Sequence, residues 1–355
     1  MDKCETFGKF STDIELINSR RSITCFSLSC ENSSGICIPL IDELGQAMWT
    51  EKEEYAIWDR YGRLIENENI SKCNQNIAFD ATEITRLLGF IFKGPIQCTM
   101  TGFSILYPNF PADLGFISSI YTDIPYFKAD SGKVWLNKTL KIDNYKEFLR
   151  YNALDAIAAF EAWHGNDWTN GIEQDLKDQD FWRTYELTME PFEALTYMMN
   201  RGIRVDQKAI ESLDNEVSNT IRSLRKRLCD IIGKDFNPSS PKQCLEYFYE
   251  RCQIQPYKNI KTGKPSTDDK ALSRIARRDL GDPSEVAKTI MQIRTLEKQK
   301  KSYLDCQWSE DGRIRCSWKA RGTIFGRFAS SKTIYNEGLN FQNLDPEFAG
   351  FLVAD

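Results

Sequence analysis

The chain has 355 residues, 41% hydrophobic and 27% charged, with a formal net charge of −5, a globular balance with length for two or three domains. No apolar run approaches the roughly 18–20 residues that cross a bilayer, which excludes membrane-spanning helices, and the opening MDKCETFGKF has no apolar signal core. One histidine and 11 cysteines without a Cys-x-x-Cys pair leave zinc ribbons and multi-histidine metal sites without ligands; catalysis would rest on carboxylates, and the cysteines read as reduced thiols in a cytoplasmic protein.

STDIELI, SITCFSLSC and GICIPL, between residues 11 and 40, are β-branched runs separated by Asn/Ser/Gly turns and predict strands. Ile84, Leu87 and Leu88 predict a helix near residue 80, and a second helix is expected from Tyr145 to Trp163. His164 falls in a loop-like HGND stretch, and GNDWTNG reads as a linker closing an α/β domain near 165. Phe181 to Asn200 reads as one helix stopped by Gly202. Ile210, Leu213, Val217, Ile221, Leu224, Leu228 and Ile231 make the apolar stripe of a long helix ending at Gly233. Asn237-Pro-Ser-Ser-Pro241 is a turn and cap signal, Thr267 is a candidate N-cap for a helix at 268–278, and a last long helix is expected from Ser284 to Leu304. Strands return after 305 in GRIRCSW and FLVAD. Charge is uneven: residues 1–170 hold 16 Lys+Arg against 23 Asp+Glu, whereas residues 204–343 hold 27 against 18. A basic middle is either a phosphate-contacting surface or a solvated lysine-rich helix face.

Asp13 and Glu15 share one face of the first expected strand, where two carboxylates repel unless a cation joins them; hard oxygens suit Mg²⁺ or Mn²⁺. Asn76-Ile-Ala-Phe-Asp80 places a carboxylate where a strand gives way to a helix, as a ligand or as an N-cap. Tyr151-Asn-Ala-Leu-Asp155 puts a phenol and a carboxylate on one helix face, as a site or as packing. In this order the three motifs resemble the 3′–5′ proofreading exonucleases of the DnaQ-like superfamily, and Tyr151 resembles the DEDDy branch. The resemblance implies an RNase H-like α/β domain, two divalent ions, and Asp13, Glu15, Asp80 and Asp155 as ligands. Asp13 would bridge the ions, and Tyr151 would orient the attacking water. Cys98-Thr-Met departs from the Asp-Thr-Met common in that family, which bears on local helix capping.

The rest of the chain resembles the family A DNA polymerases of the bacterial DNA polymerase I and phage replicase type. The resemblance is carried by Glu190-Pro-Phe-Glu-Ala-Leu, Asn200-Arg-Gly-Ile-Arg-Val-Asp206, Phe236-Asn-Pro-Ser-Ser-Pro-Lys-Gln243 and Lys261-Thr-Gly-Lys-Pro-Ser-Thr267. Lys298-Gln-Lys-Lys-Ser-Tyr303, Asp311-Gly-Arg-Ile-Arg315, Gly322-Thr-Ile-Phe-Gly-Arg-Phe-Ala-Ser-Ser331 and Asn340-Phe-Gln-Asn343 extend it. It implies an exonuclease domain over 1–170, a helix leading into the palm over 171–206, a mainly helical thumb over 207–305 and an incomplete α+β palm over 306–355. Lys242, Lys264, Ser266, Arg327, Asn340, Gln342 and Asn343 would touch DNA, both a single-stranded 3′ end and a primer-template duplex. Donors at Arg327, Asn340 and Gln342 suit the minor groove, whose acceptors all base pairs share. Phe351-Leu-Val-Ala-Asp355 resembles the strand bearing the first palm carboxylate, so Asp355 would be a metal ligand of the polymerase site. With no second palm carboxylate or fingers helix in the sequence, the chain alone is expected not to synthesise DNA; it reads equally as one part of a split polymerase completed by a second chain, as a truncated gene product or as a partial sequence. Other readings are a stand-alone exonuclease and a non-catalytic DNA-binding subunit, with RNA a weaker substrate. A phage replicase, acting in the host cytoplasm, fits the lack of a preceding 5′ nuclease.

Overall fold

The β-branched segments at the start of the chain pair into one sheet in the computed structural model, which describes residues 1–17, 22–128, 144–259, 262–344 and 346–353. Helix α1 (Asp2–Phe7) ends at Gly8 and leads into β1 (Lys9–Ile17). β2 (Ser22–Glu31) and β3 (Ser34–Pro39) continue it as an antiparallel meander. On the other side of β1, β4 (Ser71–Asn74) and β5 (Ile96–Cys98) pair in parallel, giving the order β3-β2-β1-β4-β5.

Central β1 is covered on both faces, and its alternation shows why. Phe10 and Ile14 pack into a core with Tyr61, Leu64, Ile77 and Ile84, contributed by α2 (Glu51–Glu66) and α3 (Ile77–Leu88). Ser11, Asp13 and Glu15 point to the opposite face. α4 (Thr99–Leu106), α5 (Leu114–Tyr121), α6 (Tyr145–His164) and α7 (Gly171–Asp178) bury a second core around Phe103, Ile117, Phe160 and Trp163. Nothing in the sequence reading anticipated α2, although Thr50 and Glu53 form a reciprocal capping box at its start.

Three expectations are corrected here. His164 is the last residue of α6, not part of a loop; its ring centre lies 4.7 Å from that of Phe160 at a tilt of 54°, and its Nδ1 lies 3.7 Å from Glu173. The single helix over 181–200 is two, α8 (Trp182–Met189) and α9 (Phe192–Arg201), parted where Pro191 has no N–H for the ladder. Thr267 is buried and the N-cap beyond it is Asp268, whose carboxylate accepts from Ala271 N at 2.9 Å.

The chain divides into two compact units. One holds residues 1–202, 315–336 and 340–342; the other holds 203–314, 337–339 and 343–355. These limits differ from the sequence boundaries at 170/171, 206/207 and 305/306. The second unit begins with β6 (Ile203–Val205) and the long α10 (Gln207–Ile232), capped by Asp206 and closed by Gly233 at φ 78°. α11 (Pro241–Leu245) starts within the expected turn and cap signal, with Ser240 as its N-cap, and runs on as a π-helical turn over Glu246–Arg251. α12 (Asp269–Ala276) and α13 (Asp282–Gln299) follow, and a π-helical turn over Lys300–Leu304 prolongs α13. Leu228, Ile232, Phe248, Leu272, Val286, Ile290 and Ile293 are its core. GRIRCSW yields two short strands, not one: β7 (Arg313–Ile314), and β8 (Ser317–Lys319), which pairs with β9 (Ala329–Ser331) in the first unit. β10 (Leu352–Val353) pairs with β6, which also pairs with β7. Among the described residues no helix is long and apolar enough to cross a membrane.

Gly171 is required by its backbone. Gly171 has φ +82°, and a Cβ there would lie 2.4 Å from Gly165 N and 2.6 Å from Trp163 O. Backbone cannot retreat as a flexible side chain would, so Gly171→Ala should cost about 2 kcal/mol or more. Thermal melts of the variant should show a loss of several degrees; an unchanged melting temperature would contradict this turn.

Candidate functional site

Asp13 and Glu15 lie two apart on β1, on the face that α6 covers. Beside Glu15, β2 carries one extra residue: pairing steps from Glu15↔Cys25 to Leu16↔Ile23, and Thr24 Oγ1 donates to Glu15 O at 3.0 Å. α6 comes close because the contact is lined by small residues. Ser27 Oγ donates to Asn152 O at 2.8 Å, Ser11 Oγ donates to Ala156 O, and Ala156 and Ala159 are fully buried. That approach carries Asp155 to β1. Ligand oxygens of Asp13, Glu15 and Asp155 lie within 4.8 Å of one another.

Asp80 sits in the first turn of α3, and the N-cap there is Asn76, at φ 55°. Asp80 is therefore free to turn inward: Oδ1 accepts from Ile14 N at 3.1 Å and Oδ2 from Asn74 Nδ2 at 2.8 Å. The same Asn74 nitrogen donates to Asp13 Oδ1 at 3.4 Å. Asp80 is thus one amide away from Asp13 and outside the three converging oxygens. On the other side, Asn152 Nδ2 donates to Asp13 Oδ2 at 2.9 Å. The two asparagines hold both oxygens of Asp13.

Tyr151 lies one turn before Asp155. Its phenol oxygen accepts from Lys128 Nζ at 2.6 Å, and the same ammonium is 2.5 Å from Asp155 Oδ1. Sequence reasoning missed Asn74, Asn152 and Lys128. The asparagines flank motif residues and were legible in principle; Lys128 follows α5 in a segment without periodicity and carried no signal.

Burial dominates the electrostatics. It raises Asp13 to about 7, with repulsion from Asp155 adding to it and Lys128, Asn74 and Asn152 opposing it. Burial and the neighbouring carboxylates hold Glu15 and Asp80 well above the usual range. Asp155 is raised to about 6 by burial, against the pull of Lys128 and Tyr151. Burial, then Asp155, lifts the Tyr151 phenol to about 12. Burial works to lower the Lys128 ammonium, but Asp155 and Tyr151 outweigh it and leave it above the ordinary lysine value. Carboxylates that resist ionising together are the donor set for a hard divalent cation. Asn74 Oδ1, buried without a hydrogen-bond partner among the described residues, is a further unsatisfied oxygen beside them.

The residues expected to contact DNA fall in both units. In the first unit Arg327 is exposed. Asn340 Oδ1 accepts from Ser330 Oγ at 2.6 Å, and Gln342 Nε2 donates to Phe328 O at 2.6 Å. One N–H of the Gln342 amide thus holds its own loop, and the amide has a second donor. In the second unit Lys242 and Lys264 are exposed. Ser266 Oγ accepts from Asp268 N at 3.1 Å, and Asn343 O accepts from Tyr303 at 2.6 Å. Asp355 and Lys261 lie outside the described residues. Cys98 precedes α4 without a side-chain capping bond, and its N–H donates to Tyr185 Oη at 2.8 Å.

Comparison with known proteins bears on the second unit most directly. Residues 207–344 match the family described as DNA polymerase family A. DNA polymerase I of Pseudomonas aeruginosa is 28% identical over 150 residues, 41% of this chain and 16% of that protein. DNA polymerase I of Caldicellulosiruptor bescii is 30% identical over 171 residues, 46% of this chain and 18% of that protein. The aligned segments thus span less than a fifth of these curated relatives. The solved POL domain of Pol1 from M. smegmatis, in complex with DNA primer-template and dNTP, superposes with a TM-score of 0.66 at 18% identity, covering 95% of this chain and 52% of that one. This is a likeness of fold. The chain is thus similar to DNA polymerase family A over residues 207–344 and, over less than half its length, to bacterial DNA polymerase I proteins.

Proposed function

We propose that the first unit carries a 3′–5′ exonuclease acting on DNA, and that the chain is the proofreading and primer-template-gripping portion of a family A DNA polymerase. The carrying observation is the convergence of Asp13, Glu15 and Asp155 within 4.8 Å, with Tyr151 one helical turn from Asp155. The β3-β2-β1-β4-β5 order supports reading the sheet as RNase H-like. The domain division proposed from sequence, 1–170, 171–206, 207–305 and 306–355, goes with this reading.

Asp13, Glu15 and Asp155 would hold one Mg²⁺ or Mn²⁺, and Asp80, with Asp13, a second. Such ions, when bound, neutralise a phosphodiester and lower the pKa of a water that attacks it. The protein's own part is orientation. Asn74 and Asn152 keep both Asp13 oxygens aimed. Tyr151, raised to about 12, stays protonated at neutral pH and can direct its proton to the attacking water. A cleft of about 320 Å³ flanks Tyr151, lined in part by Ile124, Pro125, Tyr126, Phe127 and Leu154; apolar and aromatic faces accept any nucleobase by stacking. The basic stretch 204–343, with 27 Lys+Arg against 18 Asp+Glu, suits backbone phosphates.

The test is degradation of 5′-labelled single-stranded DNA by the purified chain with Mg²⁺. The expected result is a ladder shortening from the 3′ end that EDTA stops. Intact DNA with Mg²⁺ present would overturn the exonuclease reading.

A further inference from the structure

Lys128 has no task in the reading above, yet it lies at the centre of the site. Its ammonium donates to the Tyr151 phenol at 2.6 Å, stands 4.3 Å from the centre of that ring and 5.2 Å from that of Phe127, and is 2.5 Å from Asp155 Oδ1. The contact with Tyr151 is a hydrogen bond to a neutral phenol, and the contact with Asp155 is a charge-assisted ion pair. That same carboxylate belongs to the three that converge. An ammonium and a divalent cation cannot both sit against one carboxylate oxygen without strong repulsion.

We propose that Lys128 is a positioning residue: it holds Asp155 in the ion-free site, yields Asp155 to an incoming divalent cation, and keeps its hydrogen bond to Tyr151. The inference rests on the exonuclease reading and deepens it. Because the phenol oxygen accepts from Lys128, its single proton is directed away from the ammonium. Lys128 therefore sets which way Tyr151 donates. The consequence is a split of opposite sign: removing Lys128 relieves competition for Asp155 and tightens metal binding, while the loosened phenol slows hydrolysis.

The experiment uses the full chain with Lys128→Met, Lys128→Gln and Lys128→Arg. Calorimetric titration with Mn²⁺ alone reads metal affinity, and single-turnover hydrolysis of 5′-labelled single-stranded DNA at saturating Mn²⁺ reads the rate. Lys128→Met should bind Mn²⁺ about tenfold more tightly and hydrolyse about 10–100-fold more slowly. Lys128→Gln, which keeps a donor to Tyr151 without the charge, should show the tighter binding with a smaller loss of rate, and it serves if the methionine variant does not fold. Lys128→Arg should return both quantities towards wild type. Weaker Mn²⁺ binding together with a slower rate would make Lys128 a scaffold only and overturn the proposal, as would variants indistinguishable from an active wild type. A wild-type chain that neither binds Mn²⁺ nor cuts DNA overturns the exonuclease reading and this inference with it.

Discussion

Replacing Asp13 and Glu15 with alanine should abolish Mg²⁺-dependent shortening of DNA from its 3′ end. Two of the three converging carboxylates go, and Asp13 is also the group that Asn74 and Asn152 orient. Lewis-acid stabilisation by bound ions is worth several kcal/mol at the transition state. A loss of about 4 kcal/mol is about a thousandfold in rate, so the expected reduction is a thousandfold or more. The check is single-turnover hydrolysis by a variant whose far-UV circular dichroism matches wild type. Undiminished hydrolysis would sink the assignment of the site. The similarity of residues 207–344 to DNA polymerase family A would stand, because none of it depends on those carboxylates.

The second large effect is on stability. The metal-free protein should lose stability as pH rises from roughly 4 to 7. In the unfolded chain an aspartate has a pKa near 3.9; in the folded protein burial holds Asp13 at about 7 and Asp155 at about 6. Between these values the folded state keeps protons that the unfolded state has released, so raising pH favours unfolding. The stability is fully present below the unfolded value and is gone above pH 7. Divalent ions act in the opposite sense. They bind the ionised carboxylates of the folded state, and a ligand at a hundred times its dissociation constant adds about 2.7 kcal/mol. Melting of the first unit, followed with EDTA and with Mn²⁺, should give curves that diverge as pH rises and converge near pH 4. Curves that stay parallel, or a metal-free melting temperature that rises with pH, would contradict the crowded buried carboxylates.

Much of the helical scaffold was legible because its signals are local. The stripe from Ile210 to Ile231, the turn and cap signal over 237–241 and the glycine at 233 each act within a few residues, and the structure places helix, cap and stop there. Failures have local causes as well. Pro191 divides a pattern that reads as continuous, and Asp268 outcompetes its neighbour Thr267 because a carboxylate accepts from Ala271 N while the threonine is buried. His164 reads as loop because HGND contains turn residues, but the α6 backbone continues through it.

For the site, residue identity and spacing along β1 and α6 determined the roster: Asp13 with Glu15 by the period of a strand, Tyr151 with Asp155 by the period of a helix. Local periodicity says which side chains share a face and nothing about what that face meets. Only the tertiary structure decided that α6 packs on β1 and β2 through Ser11, Ser27 and Ala156, that Asn152 reaches Asp13 across 139 positions, that Asn74 links Asp13 to Asp80, and that Lys128 pairs with Asp155. Those contacts arise from how closely two elements approach. Close approach is set by small side chains and buried polar groups that must find partners, and both are properties of the packed chain.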